Sequence, residues 1–121
     1  MLLNISNHPS DQWPETQYSA AVEQFGSVED LPFPNVPAQS GIEDVQAQAE
    51  LLLQRIKQLK PDAVFVMGEH TLTYQIVEKL KNAGILALAV TSERIDQRLD
   101  AERSIKTFRF HRFRPYFPVS Q

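Results

Sequence analysis

The sequence predicts a small α/β fold: a Rossmann-like three-layer sandwich of four mainly parallel strands, with an antiparallel strand at its C-terminal edge. Three observations predict it. Short apolar runs at residues 2–5, 63–67 and 85–90 have the length and continuity of strands buried on both faces. The stretches between them carry apolar residues at helical spacing. The resulting alternation of strand and helix is what a parallel sheet with right-handed crossovers requires. At 121 residues the chain amounts to one domain, residues 1–121, with residues 115–121 read as a tail or a partner contact.

Leu2, Leu3, Asn4 and Ile5 open the chain as a strand, ended by Ser6-Asn7-His8-Pro9. Ser10 or Asp11 suits a helix N-cap and Pro14 a first turn, where no amide partner is needed. Tyr18, Ala21, Val22 and Phe25 follow at helical spacing, and Gly26 fits the C-cap. Residues 28–31 form a short second strand. Pro32, Pro34 and Pro37 then impose an extended loop.

From Gly41 a long helix presents Val45, Ala49, Leu52, Leu53, Ile56 and Leu59 as one stripe, until Lys60-Pro61-Asp62 stops it. Glu43 and Asp44 complement its dipole. Residues 63–67 are the third strand and Gly68-Glu69-His70-Thr71 the next turn. Leu72, Ile76, Val77, Leu80 and Ala83 mark a further helix, and residues 85–90 the fourth strand. Residues 91–103 are polar and fit a loop, a hairpin arm or a short helix. Residues 105–113 alternate as a strand, with Phe108 and Phe110 on one face and Arg109 and His111 on the other. That alternation breaks at Arg112-Phe113, as a bulge would make it.

Composition narrows the function. With 42% hydrophobic and 22% charged residues the chain is an ordinary globular one. It has neither an apolar run of membrane-spanning length nor a signal peptide, so a cytoplasmic protein without a membrane partner is expected. No cysteine is present, which excludes disulfides and a thiolate nucleophile. Net charge is −3 but unevenly spread. Residues 1–102 carry −8, whereas Arg103, Lys106, Arg109, Arg112 and Arg114 give residues 103–121 a charge of +5. Such asymmetry suits an anionic ligand, or pairing of the basic end with the chain's own acidic helices.

Ligands of open parallel sheets bind at the carboxyl ends of strands, around a switch in strand order. That rule selects three turns: Ser6-Asn7-His8, Gly68-Glu69-His70-Thr71 and Thr91-Ser92-Glu93-Arg94. Gly68 lets backbone approach a ligand, the following helix offers an anion site, and Thr71 and Thr73 add hydroxyls. Glu69 opposes a phosphate there. The alternative for these residues is that Gly68 is a tight turn and Thr71 an N-cap. His8 and His70 follow strands expected to be neighbours, placing them in one crevice, with imidazoles suited to acid–base work. No metal-ligand spacing is present and no cofactor is expected. Basic residues interleaved with aromatics over residues 106–114 suit phosphate holding and base stacking, or alternatively a charged edge strand with Phe108 and Phe110 in the core. Neither a Gly-x-Gly-x-x-Gly fingerprint, a P-loop nor a Gly-x-Ser-x-Gly elbow occurs.

The opening Leu2-Leu3-Asn4-Ile5-Ser6-Asn7-His8-Pro9, the helix start Met67-Gly68-Glu69-His70-Thr71-Leu72-Thr73-Tyr74 and the basic C-terminal strand together resemble small CRISPR-associated accessory proteins, the ring nucleases and related CARF-type sensor domains. The resemblance implies a homodimer that binds cyclic oligoadenylate, or another small anionic nucleotide rather than long nucleic acid, across its two-fold axis. It further implies metal-independent cleavage by attack of a ribose 2′-hydroxyl on the adjacent phosphate. His8, His70 and His111 are then the acid–base candidates. Ser6, Asn7, Gly68, Glu69, Thr71, Thr73, Thr91, Ser92, Arg94, Arg109 and Arg112 are the ligand-binding candidates. A non-catalytic sensor or sponge, which needs only the basic and hydroxyl groups, and an unrelated small α/β interaction protein are the other readings.

Overall fold

The computed structural model describes residues 1–119; Ser120 and Gln121, the end of the expected tail, lie outside the described residues. Within them the chain runs β1 (Leu2–Ser6), a 3-10 turn (Ser10–Gln12), α1 (Glu15–Phe25), β2 (Val28–Asp30), α2 (Ile42–Leu59), β3 (Ala63–Met67), α3 (His70–Asn82), β4 (Leu86–Arg98) and β5 (Ser104–Pro115). The strands form one sheet in the order β2-β1-β3-β4-β5. The first four are parallel and β5 is antiparallel to β4. This is the small Rossmann-like sandwich that the alternation predicts.

Side-chain alternation along the strands divides the interior into two layers. Leu3, Ile5, Val64, Val66 and Ala87 face the stripes of α2 and α3, including Leu53, Ile56, Leu72, Ile76 and Leu80. Leu2, Ala63, Phe65 and Leu88 face the other way, onto Trp13, Ala21 and Phe113. Helix ends follow local chemistry. Gly26 caps α1 at φ +84°, a left-handed conformation that glycine adopts without steric cost. Asp44 accepts from the Gly41 N–H at 3.0 Å, closing the first turn of α2. None of the helices among the described residues is long and apolar enough to cross a membrane.

Two boundaries depart from expectation. Ser10 and Asp11 do not cap α1, which begins at Glu15 after Pro14; the Ser10 N–H and hydroxyl instead bond Asp30, at 3.1 and 3.0 Å. The larger one lies after Val90, where residues 91–103 are the hairpin arm among the three readings and the turn expected at Thr91-Ser92-Glu93-Arg94 is not formed. β4 pairs with β3 only over Leu86–Leu88, then continues to Arg98 as a ribbon with β5. Residues 91–94 are therefore a strand, because cross-strand bonds to β5 satisfy their backbone groups where β3 has ended. The turn of the ribbon is held by Asp100, whose carboxylate accepts from the Glu102 and Arg103 N–H groups, both at 2.9 Å. Those bonds, with the Arg103 side chain, hold its carboxyl below the usual range.

Candidate functional site

The strand order makes a switch between β1 and β3. From β1 the chain crosses through α1 to β2 on one side, and from β2 through α2 to β3 on the other. The carboxyl ends of β1 and β3 therefore splay their connections to opposite faces and leave a crevice between them. Residues 6–8 and 67–71 border it, as the first two of the three selected turns require.

The β1 turn is built on a buried polar network. Asn4, only 2% exposed, donates from Nδ2 to the His8 carbonyl and to Asp30 Oδ1, both at 2.9 Å. Its Oδ1 accepts from the Ser6 hydroxyl at 2.8 Å, and Ser6 Oγ accepts from the His8 N–H at 3.2 Å. Ser6 thus shapes the turn from inside. Asn7 and His8 are left exposed at its rim.

At the β3 turn, a Cβ on Gly68 would overlap the Phe33 ring, so the close approach requiring glycine is that of the proline-rich loop. The Gly68 N–H donates to Thr73 Oγ1 at 3.1 Å. Glu69, not Thr71, is the N-cap of α3: its carboxylate accepts from the N–H groups of Thr71 at 2.8 Å and Leu72 at 2.9 Å, and from the Thr71 hydroxyl. The chain's own carboxylate therefore occupies the amides that the sequence offers to an anion. Those bonds, led by the two backbone amides, hold the Glu69 carboxyl below the usual range. A depressed folded-state pKa stabilises above the unfolded value and loses its effect as pH falls through the folded one. Protection of the Thr71 and Leu72 amides against hydrogen exchange should accordingly fall on acidification, and Glu69→Gln should remove that pH dependence.

The histidines occupy three places. His8 lines a concavity of about 410 Å³ with Asn7, Trp13, Gln17, Met67 and Val90, on the α1 side. His70, the first residue of α3, lines one of about 480 Å³ with Thr73, Tyr74, Lys81 and Tyr116, on the opposite side. Met67 borders both, so the two imidazoles flank one edge of the sheet from its two faces instead of sharing a single pocket. His111 stands apart. It is the extra residue where β5 bulges opposite Thr91 and Ser92, with Nε2 3.0 Å from Glu93 Oε2. Among the described residues no three His, Asp or Glu side chains converge as a metal-binding group.

The remaining candidates ride on the ribbon. Thr91 faces Arg112 at its base, Ser92 faces Phe110, Glu93 faces Arg109 and Arg94 faces Phe108. Arg94 and Arg109 point from exposed positions roughly 20 Å along the strand from Leu88. Phe110 is half-buried against the aromatic cluster, whereas Phe108 is 68% exposed, so only one of the two phenylalanines serves the core.

Sequence reasoning passes over Asn4 and Asp30, and reads Tyr116, with Phe117 and Val119, as an apolar tail for a subunit contact or for covering the edge strand. A polar residue inside the apolar run of β1 was the available signal for Asn4. For Tyr116 the signal was the apolar character of the tail, which does not report the contact it makes. Past Pro115 the chain folds back: the Tyr116 N–H donates to the Ala87 carbonyl at 3.0 Å and its hydroxyl to the Val66 carbonyl at 2.6 Å, while Phe117 packs on the α2/α3 core. Tyr116 thereby satisfies a β3 carbonyl that β4 abandons, and burial raises its phenol pKa. The expected tail is, up to Phe117, a wall of the His70 concavity.

No curated protein matches the chain. The model of one family, described as "Uncharacterized protein MJ1673 family", matches residues 1–114, through both strands of the ribbon. The chain belongs to the MJ1673 family.

Proposed function

We propose that the protein is a metal-independent phosphodiesterase that opens a cyclic oligoadenylate at the carboxyl edge of its sheet. The observation that carries this reading is the pair of exposed imidazoles, His8 and His70, flanking Met67 at the switch in strand order. The resemblance of residues 2–9 and 67–74 to ring nucleases supports it.

The chemistry needs little else. A ribose 2′-oxygen attacks the adjacent phosphorus while one imidazole takes its proton. The bond from phosphorus to the 5′-oxygen breaks, and a second imidazolium protonates that oxygen. The products are a 2′,3′-cyclic phosphate and a free 5′-hydroxyl on a linear chain, with no water consumed. Asn7, Thr73 and Tyr74 line the two concavities and can orient ribose and base. Arginines stabilise charge on the phosphorane, and the candidates Arg94, Arg109 and Arg112 stand on the ribbon. A ligand with rotational symmetry suits a two-fold site, so the active form in this reading is a homodimer.

Binding is tested by gel shift of labelled cyclic tri-, tetra- and hexa-adenylate. A shift with one ring size, weakened by Arg112→Glu, is expected. Absence of any shift with all three would overturn the reading. A non-catalytic sensor differs in one respect: it shifts the ligand and returns it intact.

A further inference from the structure

The outer part of the ribbon formed by β4 and β5, beyond the Phe110–Phe113 cluster, reaches away from the body of the chain. From Ala89 to Arg98 it extends roughly 30 Å beyond the last pairing with β3. Its outer side chains are exposed on both faces, Ile95 excepted as half-buried, and they include the large apolar groups Leu99, Ile105 and Phe108. A lone two-stranded ribbon is marginal in water, and exposed aromatic and aliphatic groups along it mark a contact surface.

Charge indicates the partner. Residues 91–114 hold seven basic and four acidic side chains, whereas residues 1–54 contain eight acidic residues and no Lys or Arg. Within that acidic half, α1 exposes Tyr18 and Val22 beside Glu15 and Glu23. At i, i+3 and i+7, Glu15, Tyr18 and Val22 share one face of the helix. An apolar strip edged with carboxylates complements an apolar ribbon edged with Arg94, Arg98 and Lys106, three cations against one carboxylate on that face, Asp96, which pairs with Arg94 at 3.2 Å. The ribbon's own α1 meets it only near its base, through Phe113 and Phe110 in the Trp13 cluster.

We propose that the hairpin is an arm that clasps a second copy of this chain, laying its Phe108 face on the acidic outer surface of that copy's α1. The contact is isologous, since each copy supplies one arm and one helix. It rests on the functional reading above only in taking a second copy as partner, and it deepens that reading. α1 borders the His8 concavity, so the arm brings Arg94 and Lys106 toward an anionic ligand in the other copy. Within its own copy those cations stand far from the crevice.

Sedimentation equilibrium on the full chain without nucleotide tests the clasp. A dimer at micromolar concentration is expected, weakened about tenfold or more by Phe108→Asp and by Val22→Asp, each at an exposed position that leaves the circular dichroism unchanged. Reversing the arm alone, with Arg94→Glu and Lys106→Glu, should weaken the dimer; adding Glu15→Lys and Glu23→Lys should restore it. A monomer throughout the micromolar range, a dimer indifferent to Phe108→Asp, or a monomer whose arm binds duplex oligonucleotide would each overturn the proposal. A dimer that cleaves no cyclic nucleotide would leave the clasp standing and defeat the phosphodiesterase reading.

Discussion

Phe113→Ala should lower the unfolding free energy by about 3–5 kcal/mol, as removal of a buried aromatic ring does. Phe113 is 7% exposed and lies between Phe65 at 5.8 Å, Trp13 at 6.2 Å and Phe110 at 5.2 Å between ring centroids. These rings form the α1-side core where β5 joins the sheet, and the bulge at His111 sets which β5 residues face them. Against a total of roughly 5–15 kcal/mol for a domain of this kind, the loss is large. Urea denaturation followed by Trp13 fluorescence measures it, at protein concentrations low enough that assembly does not contribute. A loss under about 1 kcal/mol would mean that the ribbon is not anchored through this cluster.

His70→Ala should lower turnover of the cyclic nucleotide about 10²- to 10⁴-fold while leaving its affinity nearly unchanged, the range expected when a proton-transfer group is removed. The same holds for His8→Ala, because attack and departure each need a proton moved. His111→Ala should leave turnover near the parent value: its ring stands on the ribbon beside Glu93 and lines neither of the two concavities. Both imidazoles of the pair are exposed, so neither substitution leaves a cavity in the core. Turnover and binding are measured separately by product chromatography and gel shift. Loss of affinity and turnover in equal proportion would assign the histidines to binding alone.

The body of the fold was legible because its signals are local. Three apolar runs and two long amphipathic stripes dictate strands and helices wherever they are placed, and Gly26 and Lys60-Pro61 stop helices by backbone geometry. The ribbon was legible only as one of three alternatives, because residues 91–98 are polar except for Ile95. Their strand state comes from the ladder with β5, a non-local partner that no periodicity of their own reports. The site divided in the same way. That His8 and His70 stand at the sheet's carboxyl edge follows from the order of elements. That they stand on opposite sides of Met67 depends on which face α1 and α3 cover. The capping of α3 by Glu69, in place of a ligand, is a side-chain choice within two residues that the sequence left open.

On the proposed function, this sheet edge breaks a cyclic phosphodiester with side chains alone. The most direct measurement is incubation of the purified protein with cyclic tri-, tetra- and hexa-adenylate in EDTA, with separation of the products. Linear oligoadenylate ending in a 2′,3′-cyclic phosphate, formed at an undiminished rate in chelator, is the expected product. Recovery of every ring intact, under conditions where a gel shift shows it bound, would contradict it.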